Sequence, residues 1–401
     1  MSSIAYIDLQ RRLALLDDTG TRSLVPHPAA WSTWTKPTVE PSLWSWPTWS
    51  PDASQIACFR VGPPAEASAI DADPSMSRVR AAHVQVHDRS GVQSAELAQL
   101  DERLPIYLQW SEDGSRLAAL SQKDDRLILS SLTPGADSHE SIISEGSPLF
   151  FTWCGTKLAT YVGGGTLGAR MMLFDPSRQQ SELILPGVPG NFCAPLWMHQ
   201  QVIYVARHQG RTALLAIAPQ DAEPRVLEVV DGLVALIASP DGRTIARAIA
   251  PNGDGTPYRN LALIDTISGE IRQILEQDCL AFVWAPPGDR LLVCRVDTER
   301  NVLIWQQVDL DGTLYPVIDM MPTRDLGFYL RFFEQYAQSH RIVSPDGQHL
   351  LVAGGIPGRQ PEEGAHLWQI NLRTGGAEAI AEGMFGVYAP VTEAECLSDE
   401  N

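Results

Sequence analysis

The chain has no apolar run near the ~18 residues that a membrane span requires, so a membrane-inserted helix is not expected. Its start, Met1-Ser2-Ser3-Ile4-Ala5-Tyr6, has no basic region followed by an apolar core, so no secretory signal is expected. Cysteine is sparse: the six stand at 58, 154, 193, 279, 294 and 396 with no paired spacing. Cys58, Cys154 and Cys294 fall in or beside predicted strands of different units, which predicts buried free thiols, a reducing compartment and a cytoplasmic protein. Positive charge is in deficit, with 30 basic against 48 acidic residues and a net charge of −18. That balance argues against nucleic acid and anionic membrane as partners, because both reward clustered Lys and Arg. Helical periodicity is missing apart from one short stretch near residue 330. No Ser-His-Asp arrangement, P-loop, CxxC pair or Gly-x-Ser-x-Gly elbow occurs. With 44% apolar and 19% charged residues the chain is globular.

What the sequence does contain is a repeat. A short apolar strand ends in a bulky residue, a polar tight turn follows, and a second apolar strand begins. Trp49-Ser50-Pro51-Asp52 leads into Ile56-Ala57-Cys58-Phe59, and Trp110-Ser111-Glu112-Asp113-Gly114 leads into Leu117-Ala118-Ala119-Leu120. Similar passages begin at Trp153, Trp197, Ala238, Trp284 and Val343, so the marks step by 61, 43, 44, 41, 46 and 59 residues. A period of roughly 40–50 residues signals the blades of a propeller. A second hairpin follows each mark, often with Gly at a turn position that needs positive φ. Each unit therefore reads as four antiparallel strands, A to D.

The two ends look complementary. Residues 4–20 match the B and C strands of the second unit, and 21–25 supply a D strand. Near the other end, 385–391 resemble the A strand 104–110, with the mark placed at Val391. The expectation is an all-β fold: one closed propeller of four-stranded blades, eight most readily, with seven as the alternative. Its expected units are 45–100, 104–145, 148–186, 194–230, 232–277, 279–320, 340–382 and a composite of 4–25 with 384–392. Closure of this kind removes sheet edges that invite aggregation.

The turns WSPD at 49–52, WSEDG at 110–114 and SPDG at 239–242 and 344–347 resemble the repeat of TolB-type, WD40-like propellers. The same repeat is found in the propeller domains of prolyl-oligopeptidase and dipeptidyl-peptidase relatives. The resemblance implies the fold and does not specify a function. It covers nearly the whole chain, but neither the extra α/β domain of TolB nor a peptidase hydrolase domain is visible in the sequence.

Insertions are expected on one face. The A–B and C–D turns are short, whereas 26–45, 186–194 and 320–339 read as D–A loops and 61–80, 163–168, 250–258 and 354–364 as B–C loops. Long loops in a compact domain carry function or lack order. Trp31, Trp34, Trp44 and Trp46 crowd the first, and Trp serves either recognition or packing. The stretch 327–340 carries Phe333 and Tyr336 on an apolar helical face, with Arg331, Glu334 and His340 as polar candidates. It reads as a cap on the channel mouth. Asp71, with Asp73, stands in the loop 65–80, and Arg359 in the last B–C loop. No metal site and no cofactor are expected. Gly163-x-Gly165-x-x-Gly168 runs into a strand rather than the helix a dinucleotide needs. His83 and His87 share a strand face without a third ligand, and 252–255 lack the distant Glu of a calcium loop. The expected function is a non-catalytic recognition scaffold, monomeric, binding a protein or peptide at the elaborated face. The alternative is a small-molecule enzyme, a lyase, hydrolase or cyclase, with His340, Glu334, Asp71 and Arg359 at the channel mouth.

Overall fold

The computed structural model describes residues 2–25, 42–62, 81–135, 139–163, 169–189, 193–251, 257–359 and 365–391. Nearly all regular structure is antiparallel strand, and the chain is a β-propeller. Five sheets have four strands, one has five and one has seven. In one of them Phe385–Tyr388 pairs with Ile4–Ile7, followed outward by Leu13–Asp17 and Gly20–Ser23. Strands from the two ends of the sequence thus share a sheet, as the composite reading expects.

The A–B turns show why the repeat has its spelling. In four of them the Ser hydroxyl donates to the Asp two residues on, at 2.6 Å in Ser50–Asp52, 2.7 Å in Ser111–Asp113, 2.6 Å in Ser239–Asp241 and 2.5 Å in Ser344–Asp346. The same hydroxyl accepts the backbone N–H that opens strand B, from Gln55, Arg116, Thr244 and His349. The Asp carboxylate accepts a further N–H from the turn. Such local side-chain bonds hold a turn without help from the core. The residue after Asp is left-handed, with φ of 68° at Gly114, 71° at Gly242 and 67° at Gly347. In the first turn it is Ala53, with φ 56°.

The marks tie neighbouring units together. The indole Nε1 donates from Trp110 to the Thr48 carbonyl (3.2 Å), from Trp153 to Gln109 (3.0 Å) and from Trp284 to Ile237 (3.2 Å). Each acceptor immediately precedes the mark of the unit before. Trp49 makes the equivalent bond to Val387, at 3.3 Å. The mark of the composite sheet is therefore Tyr388, which pairs with Ile4 as Trp110 pairs with Leu117, and not Val391. The sequence match began at the right residue, but the strand stops before Ala389-Pro390.

One unit departs from the pattern, and the seven-stranded sheet is its result. The strand Leu314–Pro322 ends by pairing Met321 with Gly355 and Pro322 with Gly354. It thereby takes the upper half of the A position beside His349–Gly355. The Thr323 N–H continues the ladder to the Ala353 carbonyl at 2.9 Å. The lower half is supplied by Ile342, whose carbonyl accepts from Leu351, and by Val343, which bridges Leu350. Residues 324–340 leave this strand and return to it. They are an insertion inside an A strand rather than a loop between blades.

Candidate functional site

The insertion runs down the axis of the propeller. Helix α1 (Arg324–Arg331) begins at Thr323, whose hydroxyl accepts from Leu326 N and donates to the Met384 carbonyl at 2.6 Å. Such an N-cap satisfies a helix N–H that has no partner within the helix. Asp325 pairs with Arg11 of the composite sheet through both carboxylate oxygens. Helix α2 (Phe333–Tyr336) follows, and buries Phe333, Gln335 and Tyr336.

This peg touches A strands around the ring. Gln335 behaves like a fragment of backbone: its amide nitrogen donates to the Phe151 carbonyl at 2.8 Å, and its oxygen accepts from Phe151 N at 3.1 Å. Tyr107 donates to the Gln335 carbonyl at 2.8 Å, and Tyr336 donates to the Ile106 carbonyl. Thr152 donates to Gln338 Oε1 at 2.8 Å. Phe333 meets Phe282 edge-on, with centroids 4.9 Å apart, and Tyr258 at 6.0 Å. Trp46 bulges out of the strand Leu43–Trp49 with φ 55° and lays its ring 4.7 Å from Tyr336 and 5.5 Å from Phe328.

Two titratable groups are largely enclosed by the peg. The Glu334 carboxyl accepts from the Tyr258 hydroxyl at 3.1 Å, and its other oxygen has no hydrogen-bond partner. The residue keeps some surface, but that oxygen is inaccessible. Burial raises its pKa to about 8, against smaller opposing effects from Tyr258, Cys193 and the Ala194 N–H. His340 is fully buried, with Nδ1 2.7 Å from the Ser339 hydroxyl. Its Nε2 is near the Trp46 backbone without hydrogen-bond geometry, and burial lowers its pKa to about 3. The imidazole is neutral at ordinary pH.

The structure thus separates the sequence candidates. Phe333, Tyr336, Glu334, His340 and Trp46 come together in the peg, and Glu334 and His340 also reach the wall of a cavity beneath it. Trp44 is half-buried beside them. Arg331 is exposed on the outer end of the insertion. Arg359 lies elsewhere, on a hairpin where it donates to the Ala377 carbonyl at 2.8 Å. Trp31, Trp34 and Asp71 fall outside the described residues, as do the Gly165–Gly168 and 252–255 motifs. His83 is buried with Nδ1 3.0 Å from Glu96, and among the described residues no cluster of three or more metal-ligating side chains forms.

Below the peg, towards the A–B turns, the axis is hollow. Two cavities of about 410 and 330 Å³ abut there and share Leu196, Ala238, Gln338 and Arg341. Between them they are lined by all seven repeat marks read from the sequence: Trp49, Trp110, Trp153, Trp197, Ala238, Trp284 and Val343. Arg341 had drawn no attention in the sequence. The signal was available: an Arg directly before an A strand that ends in SPDG.

No family model and no curated protein matches the chain. Solved structures do. An oligogalacturonate lyase in complex with manganese is similar over 92% of this chain and 95% of its own, at 14% identity and a TM-score of 0.51. TolB from Acinetobacter baumannii is similar over 76% and 74%, at 14% identity and 0.41. The C-terminal WD40 domain of Sif2 is similar over 81% of both chains, at 13% identity and 0.47. At these identities the likeness shows the fold alone, a β-propeller. Scaffold proteins and enzymes share that fold, so it names no activity.

Proposed function

We propose that this chain is a non-catalytic recognition scaffold, an eight-bladed propeller that takes a protein or peptide partner on the face carrying the B–C and D–A loops. The observation that carries this reading is the peg. It occupies the axis where an enzyme of this shape would gather its groups; Glu334 and His340 reach only the inner edge of the smaller cavity beneath it, with the His340 ring fully buried, and Arg359 stands apart. A lyase, hydrolase or cyclase needs those side chains to converge on one accessible pocket. The peg instead presents Phe332 (39% exposed) next to the exposed Arg331, and the strand that leads into it ends in the exposed Met321 (50%). An aromatic and an Arg with an apolar neighbour are the residue types that anchor interfaces. Cytoplasmic residence is part of the proposal, supported by five buried free thiols among the described residues. No helix among them is long and apolar enough to cross a membrane.

The test is capture from a lysate of the source organism by the immobilised chain. A partner recovered at stoichiometry by the wild type, and lost with the double variant Arg331→Glu/Phe332→Asp, is the expected result. Both positions are exposed, so the variant should keep its melting temperature. Recovery of nothing stoichiometric, or equal recovery by both proteins, would sink the reading.

A further inference from the structure

The hollow end of the axis carries a second site, independent of the partner face. Arg341 lines both cavities. Its backbone is fixed, since its carbonyl accepts from Tyr388 N at 2.8 Å. Its side chain forms no ion pair or hydrogen bond among the described residues. Acidic residues outnumber basic ones by 48 to 30, so shortage of carboxylates does not explain an unpaired guanidinium. Other Arg side chains in confined positions are paired, as Arg103 is with Glu140 at 2.6 Å and Arg247 with Glu228.

The surroundings fit a guest. Arg341 is open to solvent through the cavities, yet enough protein surrounds it that burial lowers its pKa. Gln109, Ser111 and Ser339 offer polar atoms on the wall, and the Gln109 Oε1 is buried without a partner. Glu112 is the carboxylate on the wall of the larger cavity; it accepts from the Gly155 N–H, and burial raises its pKa. It forms no ion pair with Arg341, so the guanidinium stays free for something else. Thr152, Gln338, Glu334 and His340 also reach the wall, and the Glu334 carboxyl is held by Tyr258 with a raised pKa; the apolar part comes from the indoles and from Leu196, Ile237 and Val283. A cavity of several hundred Å³ with an apolar wall and a few placed polar groups is the usual form of a small-ligand site.

We propose that the A–B end of the axis is a binding site for a small oxyanion, a carboxylate or a phosphate, held by the planar fork of Arg341. A guanidinium presents two parallel N–H groups that match two oxygens of either anion. The apolar wall takes the body of the ligand.

The experiment is calorimetric titration of the whole chain with inorganic phosphate and, separately, with malonate, each against chloride at equal ionic strength. Saturable binding of one or both is expected, and the arm that saturates identifies the anion class. Arg341→Gln should abolish it, because the side chain bonds to nothing that holds the fold. Arg341→Lys should weaken it about tenfold, keeping the charge and losing the fork. As a readout that needs no variant, crystals soaked in tungstate should show an anomalous peak against Arg341. Absence of saturable heat with both probes, binding that survives Arg341→Gln, or a tungstate peak elsewhere alone would overturn the proposal. None of these results bears on capture of a partner by the other face.

Discussion

The two ends of the propeller axis face the same physical difficulty and resolve it oppositely. The innermost strand of every unit presents a row of backbone N–H and C=O groups to the centre, and such an edge must be covered, bonded or wetted. At the upper end the chain spends an insertion to do this. Gln335 pairs with both backbone groups of Phe151, and Tyr107 and Tyr336 bond across to carbonyls. Aromatic rings fill the remaining space. At the lower end nothing is inserted, and cavities of about 410 and 330 Å³ remain. The lower rim is instead held by its own turns, each closed by a Ser and an Asp. Packing at one end and local hydrogen bonding at the other teach different things about where stability and where binding reside.

The difference is broken most directly by emptying the packed end. Phe333 is 1% exposed and wedged against Phe282 and Tyr258. Phe333→Ala removes a large buried ring from this contact. A loss of about 3–4 kcal/mol is expected for such a change. Urea unfolding followed by tryptophan fluorescence would measure it, and a loss below about 1 kcal/mol would mean that the peg is loosely seated.

A pH titration probes the packed end itself, because the peg carries Glu334 and His340. Glu334 has its pKa raised from 4.5 to about 8, so the folded state binds the proton more tightly than the unfolded one. Its contribution is full below about 4.5 and is lost as pH rises towards 8. His340 has its pKa lowered from 6.5 to about 3, so its contribution is full above 6.5 and is lost as pH falls towards 3. Between 4.5 and 6.5 the two slopes oppose each other, and from 6.5 to 8 only the Glu334 decline remains. Glu334→Gln should remove that decline, an effect on the order of 1 kcal/mol between pH 6.5 and 8. Melting curves of both proteins at those two pH values check it. A wild type that is equally stable at both would show that the carboxyl is wetter than its surroundings indicate.

The two ends were not equally legible in the sequence. The lower turns were, because each is specified within six residues: Ser, Asp, a left-handed position and the strand that follows. The peg was half legible. The apolar periodicity of 327–340 predicts a helical cap and names Phe333 and Tyr336, but position along the chain suggests a loop between units. Only the register of Met321 and Val343 against the same partner strand places it inside an A strand. The cavity was not legible at all. Its wall includes the seven marks, spaced tens of positions apart, which one at a time signal only the fold. Arg341 acquires meaning from the absence of a partner, which no linear pattern records. The same limit explains the composite mark, where sequence similarity favours Val391 and the indole bond from Trp49 selects Tyr388.

The smallest expected effect lies at the legible end. Three of the four Ser-Asp turns place Gly in the left-handed position, and the first places Ala53 there with φ 56°. A Cβ in that conformation crowds the following carbonyl, at a cost of roughly 1 kcal/mol. Ala53 is 3% exposed, so its methyl also gains something from burial. The two effects oppose, and glycine adds entropy to the unfolded chain. The buried methyl and the entropy together match or slightly exceed the strain, so Ala53→Gly should be neutral or cost up to about 0.5 kcal/mol, read as an unchanged or slightly lower melting temperature. The reverse change separates the turns further. At Gly114 an added Cβ meets only the Pro51 Cδ, at 3.6 Å, whereas at Gly347 it would meet the Pro286 carbonyl oxygen at 1.8 Å. Gly114→Ala should therefore cost about 1 kcal/mol, the left-handed strain alone, and Gly347→Ala distinctly more. Equal losses at the two would mean that the lower rim is held by its individual turns and not by contact between them.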